Sequence, residues 1–251
     1  LDPMATGLLP VFVGRATRAV QYATDGKKEY RAVLRLGLVT DTQDVTGAVL
    51  FQRAADVSRE TLETVLPRFR GEIFQIPPMY SALKVDGKKL YELARKGREV
   101  ERQPRPITVY ELELGQQLSG TDWELRVLCS KGTYIRTLCH DIGAVLGCGG
   151  AMAALRRTRV AGFSIEQAVT LEQVQAADDP AALLAPVDGC FADLPAVTLT
   201  GAQAKCVRNG AAFTDRREPG RWRAYGPEGE FLALTETDGE KMSVVKSFFE
   251  V

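Results

Sequence analysis

The sequence of 251 residues has no net charge and no long apolar run. Lysine plus arginine number 32, as do aspartate plus glutamate, so the overall charge does not point to nucleic acid. No apolar segment approaches the roughly 18 to 20 residues that span a bilayer, which predicts a protein without a membrane partner. With 45% hydrophobic and 25% charged residues, the composition excludes disordered, collagen-like and coiled-coil chains. We therefore expect a soluble, globular protein.

Cysteine and histidine are scarce. The five cysteines include no CxxC pair, and their odd number argues against a disulfide framework. Together with the lack of a secretory leader, this predicts a reducing, cytoplasmic location. His140 is the only histidine, and the spacing of Cys129, Cys139 and Cys148 around it fits no structural zinc pattern. We expect no metal.

Hydrophobic periodicity predicts a mixture of strands and helices. Residues 29–36 alternate, with Tyr30, Ala32, Leu34 and Leu36 on one face, as in a half-buried strand. Two further strands are predicted at 107–114 and 124–129. One helix is predicted to be capped by Ser58, and the residues on its apolar side are Leu62, Val65, Leu66 and Phe69. A second helix is predicted to be capped by Thr133, and the residues on its apolar stripe are Ile135, Leu138, Ile142, Val145 and Leu146. Because strands and helices do not alternate regularly, the predicted fold class is α+β, with a mixed, largely antiparallel sheet flanked by helices.

The pattern changes after Pro195. Four short β-type runs, at 196–199, 222–225, 231–235 and 242–249, are separated by glycine-containing turns, which is typical of a small β-rich module. A capping box at Thr170 predicts one helix before this module. We therefore predict a large domain at 1–192 and a small one at 193–251.

The neutral total conceals three clusters of basic residues near aromatic side chains. They lie at 84–106, close to Tyr80 and around Tyr91, at 156–159, and at 205–223 around Trp222, whereas residues 160–200 carry acidic residues and no basic one. Cations that meet phosphates and rings that stack on unpaired bases suit a folded RNA. The alternative is that these clusters are ordinary solvated helix surfaces.

Two charged residues are candidates for catalysis. Asp2 precedes a proline, where an aspartate usually serves only turn formation. Arg136 falls in the first turn of the helix predicted after Thr133, where the helix dipole disfavours a cation by about 0.3 to 1 kcal/mol. A neighbouring carboxylate or an RNA phosphate would compensate, and an exposed arginine that tolerates this cost is the alternative.

Three further residues have plain structural interpretations. Tyr30 shares its face with aliphatic residues, which favours a core tyrosine. Asp41 and Asp44 are predicted to be loop residues rather than metal ligands, because no third ligand of suitable spacing accompanies them.

Several segments together resemble the motifs of bacterial TruB-type pseudouridine synthases, which act on uridine 55 in the T-loop of tRNA. Residues 1–10, LDPMATGLLP, are similar to the family's catalytic motif LDPxATGxLP, and Tyr30 with residues 36–44 resembles its tyrosine strand and following loop. Residues 75–106 resemble an insertion that grips RNA, and KGTYIR at 131–136 with LRR at 155–157 completes the set. The match covers the chain to about residue 165, and the tail resembles the PUA-like RNA-binding domain of these enzymes.

The resemblance implies an isomerase that needs no cofactor and acts as a monomer on the T-stem-loop of tRNA. The uridine is flipped out, its glycosidic bond is cleaved with the help of Asp2, the base rotates, and C1′ is joined to C5. Arg136 would pair with Asp2, while Tyr30 would stack on the base and assist removal of the C5 proton. The other substrate-binding residues that it implies are Tyr134, Leu155, Lys84 and Arg156. Attack on C1′, abstraction of the 2′ proton and charge stabilisation all remain open as the task of Asp2.

Other functions remain open as alternatives. The family has a further segment before the catalytic motif that this sequence lacks, so we expect the sequence to be a fragment. Without that segment, the main alternative is a non-catalytic tRNA binder or folding chaperone. A retaining glycosidase is less favoured, because it needs two paired carboxylates and only Asp2 is well motivated.

Overall fold

A computed structural model describes residues 2–249, which divide into two compact units. The first unit comprises residues 2–8 with Lys27–Val160, and the second comprises Leu9–Gly26 with residues 161–249. This division does not test the functional boundary predicted at residue 192, which stays a prediction. Leu1, Glu250 and Val251, which fall within the predicted domains, lie outside the described residues.

The elements are numbered in chain order across both units. The strands are β1 Thr6–Gly7, β2 Lys28–Leu36, β3 Leu38–Thr40, β4 Val49–Gln52, β5 Gly71–Gln75, β6 Lys84–Val85, β7 Lys88–Lys89, β8 Arg105–Gln117, β9 Asp122–Cys129, β10 Gly150–Val160, β11 Phe163–Ser164, β12 Ala196–Thr198, β13 Phe213–Thr214, β14 Gly220–Tyr225, β15 Phe231–Thr237 and β16 Lys241–Ser247. The α-helices are α1 Val20–Asp25, α2 Arg59–Val65, α3 Leu90–Ala94, α4 Ile135–Val145, α5 Leu171–Ala176 and α6 Gly201–Arg208.

Six strands of the first unit form one sheet in the order β1-β10-β2-β9-β8-β5. Strand β1 runs parallel to β10, and the other neighbours are antiparallel. The mixed, largely antiparallel α+β fold is therefore confirmed. Strand β2 buries Tyr30, Ala32, Leu34 and Leu36, as its alternation predicts, and these side chains join the hydrophobic core of this unit.

Helices α2 and α4 pack on this core. The Ser58 side chain accepts a hydrogen bond from the Thr61 N–H at 3.2 Å, as predicted, and the apolar side of α2 continues through a 3₁₀ turn at Leu66–Phe69. This arrangement buries Leu62 and Leu66 completely. The sheet and its helices thus enclose one continuous core.

Two details predicted for α4 are wrong. The helix begins at Ile135, so Tyr134 rather than Thr133 is its N-cap, and the Thr133 hydroxyl donates instead to the Ser130 carbonyl at 3.0 Å. Ile135 and Ile142 are buried as predicted, but Val145 is 40% exposed because the helix ends there, beyond the edge of the core.

The second unit contains the predicted β-rich module. Its sheet has the order β12-β14-β15-β16-β13, with β12 parallel to β14 and the remaining pairs antiparallel. Helix α6, which the sequence analysis did not predict, packs on the sheet through Ala204 and Val207. Thr170 forms the predicted capping box at the start of α5.

Residues 9–26 belong to this second unit although they follow directly on the first strand. Arg15 Nη1 donates to the Phe249 carbonyl at 2.6 Å, and Arg18 Nη1 donates to the Ser247 carbonyl at 3.1 Å. The beginning and the end of the chain are thereby joined within one unit. Among residues 2–249, no helix is long and apolar enough to cross a membrane.

Candidate active site

Arg136 lies at the centre of the site, in the first turn of α4, and is 5% exposed. Its Nη2 donates a hydrogen bond to Asp2 Oδ1 at 3.0 Å. Its Nε also lies 3.0 Å from Asp2 Oδ2, in a geometry that makes an ion-pair contact but no hydrogen bond. The anionic partner that the helix dipole calls for is therefore present, and it is the Asp2 carboxylate.

Two other chain segments hold the same guanidinium. Nη1 donates to the Thr42 carbonyl at 2.9 Å, and Nη2 donates to the Tyr80 carbonyl at 2.8 Å. Asp44 Oδ2 lies 3.7 Å from Nη1. Because a guanidinium is planar and its donors point in fixed directions, this set of acceptors allows Arg136 only one orientation.

Asp44 is a second carboxylate of the site, which the sequence analysis assigned only to the loop. It is 5% exposed, and its Oδ1 accepts hydrogen bonds from the Thr42 hydroxyl at 2.8 Å and from the Thr46 N–H at 2.9 Å. These bonds bear out its role as a loop residue. The contact with Arg136 was missed, because the sequence does not show which helix the loop packs against.

Residues 6–8, which follow Asp2, attach this segment to the sheet. Strand β1 pairs with Arg156 and Arg157 of β10, the Leu8 N–H donates to the Arg157 carbonyl at 2.9 Å, and Arg157 Nε donates to the Leu8 carbonyl at 2.8 Å. Gly7 has a φ of 99°, and a Cβ there would lie 2.2 Å from the Arg157 carbonyl oxygen. Only glycine fits this close approach.

Tyr30 lies on β2 beside this loop and is 8% exposed. Burial raises the pKa of its hydroxyl to about 12, and the nearby Cys129 and Asp2 act in the same direction, while Arg157 opposes them. The hydroxyl is therefore protonated at neutral pH. This state suits a ring that stacks and an O–H that donates, and it disfavours a phenolate base.

A cavity of about 830 Å³ in the first unit joins these side chains. Its walls include the predicted residues Asp2, Tyr30, Tyr134, Arg136 and Leu155. The volume lies in the range of about 300 to 1,000 Å³ that is usual for small-molecule sites. A nucleoside-sized group can therefore reach the carboxylate.

The insertion supplies part of the cavity wall. Tyr80, Tyr91 and Arg95 line it, and the Arg95 guanidinium lies 5.2 Å from the centre of the Tyr91 ring. From the sequence alone, these residues stand out only as members of a basic cluster with aromatic neighbours. Lys84 and Arg156 do not line the cavity: Lys84 is exposed on the hairpin of β6 and β7, and Arg156 is exposed on β10.

Two buried thiols near the site are held in the protonated form. Burial raises the pKa of Cys139 to about 12 and that of Cys129 to about 11, so both are protonated. Within residues 2–249, no three His, Cys, Asp or Glu side chains are grouped as a metal site requires. The cavity wall itself presents the Asp2 carboxylate, the Arg136 guanidinium and the Tyr30 side chain.

This arrangement can act on an electrophilic carbon or on a proton. A carboxylate held by one guanidinium at the wall of a cavity can attack a carbon, accept a proton or stabilise a positive charge. An aromatic ring beside it offers a stacking surface to a planar base.

The chain is similar to known proteins of one family. The family model described as "TruB family pseudouridylate synthase (N terminal domain)" matches residues 1–135, and that of the "tRNA pseudouridylate synthase B C-terminal domain" matches residues 136–192. A protein of Azoarcus sp. (strain BH72) named tRNA pseudouridine synthase B is 53% identical over 214 residues, which are 84% of this chain and 70% of that protein. A protein of Aromatoleum aromaticum with the same name is 47% identical over 242 residues, covering 95% of this chain and 78% of that protein.

Two solved structures contain chains whose fold is similar to that of this chain. A chain in the crystal structure of a Cbf5-Nop10-Gar1 complex matches with a TM-score of 0.72 and 28% identity, over 99% of this chain and 74% of that chain. A chain in the structure of an H/ACA RNP bound to a substrate RNA containing 2′-deoxyuridine matches with a TM-score of 0.73 and 25% identity, over 100% of this chain and 74% of that chain.

Proposed function

We propose, since the chain belongs to the TruB family of pseudouridylate synthases, that it isomerises uridine 55 in the T-loop of tRNA to pseudouridine. The observation that carries the proposal is the Asp2 carboxylate held by Arg136 in the wall of a nucleoside-sized cavity. The names of the relatives support tRNA as the substrate class. They do not specify the position within the tRNA.

The reaction begins with base flipping, because C1′ of a stacked nucleotide is out of reach. Extrusion costs a few kcal/mol of stacking, which contacts in the cavity offset. Tyr30 would stack on the flipped base, and Tyr134 and Leu155 would pack against it. Lys84 and Arg156, which are exposed outside the cavity, would then contact the RNA backbone.

Bond cleavage falls to Asp2. The carboxylate assists departure of the base from C1′ by attack on that carbon, by removal of the 2′ proton or by stabilising positive charge, and Arg136 holds it in place. After the base rotates, C5 bonds to C1′ and loses its proton. A Tyr30 hydroxyl that stays protonated assists this last step better as a relay than as a phenolate base.

The proposal also covers the part of the tRNA that is bound, the oligomeric state and the cellular location. The T-stem-loop would meet the insertion, and the β-rich module from residue 193 onward would act as a PUA-like RNA-binding domain. The enzyme would work as a cytoplasmic monomer without a cofactor.

A tritium-release assay on tRNA that carries 5-tritiated uridine tests the proposal. The chain is expected to release tritium from position 55, and Asp2→Asn is expected to lower the rate by at least about 1,000-fold, since it removes the reacting charge but keeps the shape. The matched control is Asp178→Asn, an exposed aspartate outside the first unit. Asp2→Asn with the wild-type rate, or release that persists from tRNA with cytidine at position 55, would refute the proposal.

The non-catalytic tRNA binder is the second candidate. It is favoured if tRNA binds to these 251 residues, and to the same residues together with whatever the gene encodes before Leu1, while neither makes pseudouridine. The glycosidase gains little from Asp44, because that carboxylate already faces Arg136 and donors from its own loop.

A further inference from the structure

Gln75 is a buried polar residue outside the set of residues discussed for catalysis. It ends strand β5, at the root of the insertion, and is 2% exposed. A buried amide without partners costs several kcal/mol, so the position of its partners is informative. Both of its polar atoms meet the same residue, 59 positions further along the chain.

That residue is Tyr134, and both of its backbone groups are engaged. The Tyr134 N–H donates to Gln75 Oε1 at 3.0 Å, and Gln75 Nε2 donates to the Tyr134 carbonyl at 3.3 Å. The side chain thereby reproduces the pair of hydrogen bonds that two antiparallel strands exchange. Such a double contact fixes the orientation of the backbone as well as its position.

Tyr134 is the point from which the catalytic helix starts. As N-cap of α4 it has extended backbone angles and no side-chain cap, and its carbonyl accepts the first helical hydrogen bond from the Leu138 N–H at 3.0 Å. Arg136 follows two residues later. The placement of the first turn, and with it of the guanidinium, therefore depends on how the Tyr134 backbone is held.

The same segment makes a second contact with the site five residues further on. The Tyr80 carbonyl accepts a hydrogen bond from Arg136 Nη2 at 2.8 Å, and the same nitrogen donates to Asp2. Residues 75–80 thus bind the backbone at the start of α4 through Gln75 and the guanidinium of Arg136 through the Tyr80 carbonyl. A shift of this segment would displace both.

We propose that Gln75 is a positioning residue for the isomerisation, which locks the Tyr134 backbone so that Arg136 and Asp2 keep their reactive geometry. The inference rests on the proposed function and adds a residue that touches neither substrate nor reacting atoms. It acts on the chemical step, because small displacements of reacting groups lower rates steeply. It contributes little to tRNA affinity, because Gln75 is not exposed to bind RNA.

Single-turnover rates and tRNA affinity, measured separately, test this inference. With enzyme in excess over 5-tritiated tRNA, Gln75→Leu is expected to lower the rate at least about tenfold, while the Kd from filter binding stays within about twofold of wild type. Gln116→Leu is the matched control, because Gln116 is exposed on β8, and it should change neither quantity.

Gln75→Glu supplies a readout that a merely structural role would not move. Its carboxylate can accept from the Tyr134 N–H, but it can donate to the Tyr134 carbonyl only when protonated, and burial favours protonation. Its rate relative to wild type at the same pH is therefore expected to rise as the pH falls from 8 to 6. This variant also carries the test if Gln75→Leu does not fold.

The outcomes separate the two proposals. If wild type makes no pseudouridine, the proposed function fails first. If wild type is active and Gln75→Leu keeps a rate within twofold of it, or loses rate only in proportion to affinity, the positioning role is overturned. A rate ratio for Gln75→Glu that does not vary with pH would also contradict it.

Discussion

The two faces of the sheet in the first unit each have an arginine beside carboxylates, and the two arginines differ in burial. Arg136 packs with α4 against one face, its side chain is 6% exposed, and it meets Asp2 and Asp44. Arg126 on β9 lies on the other face with a side chain that is 34% exposed. It pairs with three glutamates of neighbouring strands, Glu29, Glu111 and Glu113.

The number of charges does not decide which of these clusters can form a site. Arg126 has more carboxylate partners, but water screens its pairs with the exposed Glu111 and Glu113, and exposed ion pairs contribute about 0 to 1 kcal/mol. Glu29 is buried, but it also accepts a hydrogen bond from the Thr158 hydroxyl at 2.7 Å. Arg136 is removed from water and also donates to two backbone carbonyls, so its removal leaves two carboxylates without their cation and two carbonyls without this donor. Burial therefore makes the inner cluster rigid, and rigidity is what a reacting carboxylate needs.

Replacement of the inner arginine is the largest expected effect. Arg136→Met should lower the free energy of unfolding by about 3 to 5 kcal/mol, because it leaves the buried Asp44 and the half-buried Asp2 without a cation. Urea unfolding measures the loss. Arg136→Lys keeps the charge but not the fork, so it should fall between wild type and Arg136→Met. A loss below 1 kcal/mol for Arg136→Met would show that the inner cluster is no different from the outer one.

The buried tyrosine predicts an intermediate effect. The pKa of Tyr30 is about 12 in the folded protein and about 10 when unfolded, so the stability present below pH 10 is lost as the pH rises toward 12. Ionisation of Tyr30 should account for about 2 kcal/mol of the loss at pH 12, and this part alone should be absent in Tyr30→Phe, because the buried thiols of Cys129 and Cys139 lose stability in both proteins.

Urea unfolding at pH 8 to 12 compares the two proteins, with Tyr110→Phe as the exposed control on the same sheet. Equal losses for wild type and Tyr30→Phe would contradict the burial argument. For the wild-type protein, we also expect that ionisation of the Tyr30 hydroxyl causes no change in the single-turnover rate of pseudouridine formation between pH 7 and 9, because this hydroxyl stays protonated in that range.

Replacement of the outer arginine is the smallest expected effect. Arg126→Met should cost less than about 1 kcal/mol of unfolding free energy and leave the rate of pseudouridine formation within twofold of wild type. Measurements at low and high salt sharpen this test, since screening should remove most of the remaining difference. A loss as large as that of Arg136→Met would break the distinction between the two faces.

The sequence was sufficient where side-chain identity carries the information. The alternation of Tyr30, Ala32, Leu34 and Leu36 predicts strand β2 and its buried face, since the period of a strand is fixed by its geometry. The unfavourable dipole at Arg136 likewise predicts an anionic partner, because the electrostatics are local.

The sequence was insufficient where backbone groups or distant packing decide. The backbone carbonyls of Thr42 and Tyr80 accept hydrogen bonds from Arg136. Every residue has such a carbonyl, so the residue type does not indicate which carbonyl makes the contact. Thr133 has a side chain that often caps helices, but its hydroxyl donates to the Ser130 carbonyl instead. The Tyr134 N–H at the start of the helix donates to the Gln75 side chain. A contact between residues 59 positions apart depends on the tertiary fold.

The division of the chain after Leu8 has a consequence for synthesis. Residues 9–26 are synthesised before residues 27–160, but the Phe249 and Ser247 carbonyls to which Arg15 and Arg18 donate are made 229 to 234 residues later. At about 5 to 20 residues per second, this segment waits more than about ten seconds for its partner. It includes Leu9, Val11 and Val13, which stay largely exposed even in the finished unit. The second unit can therefore close only after the whole first unit has been synthesised.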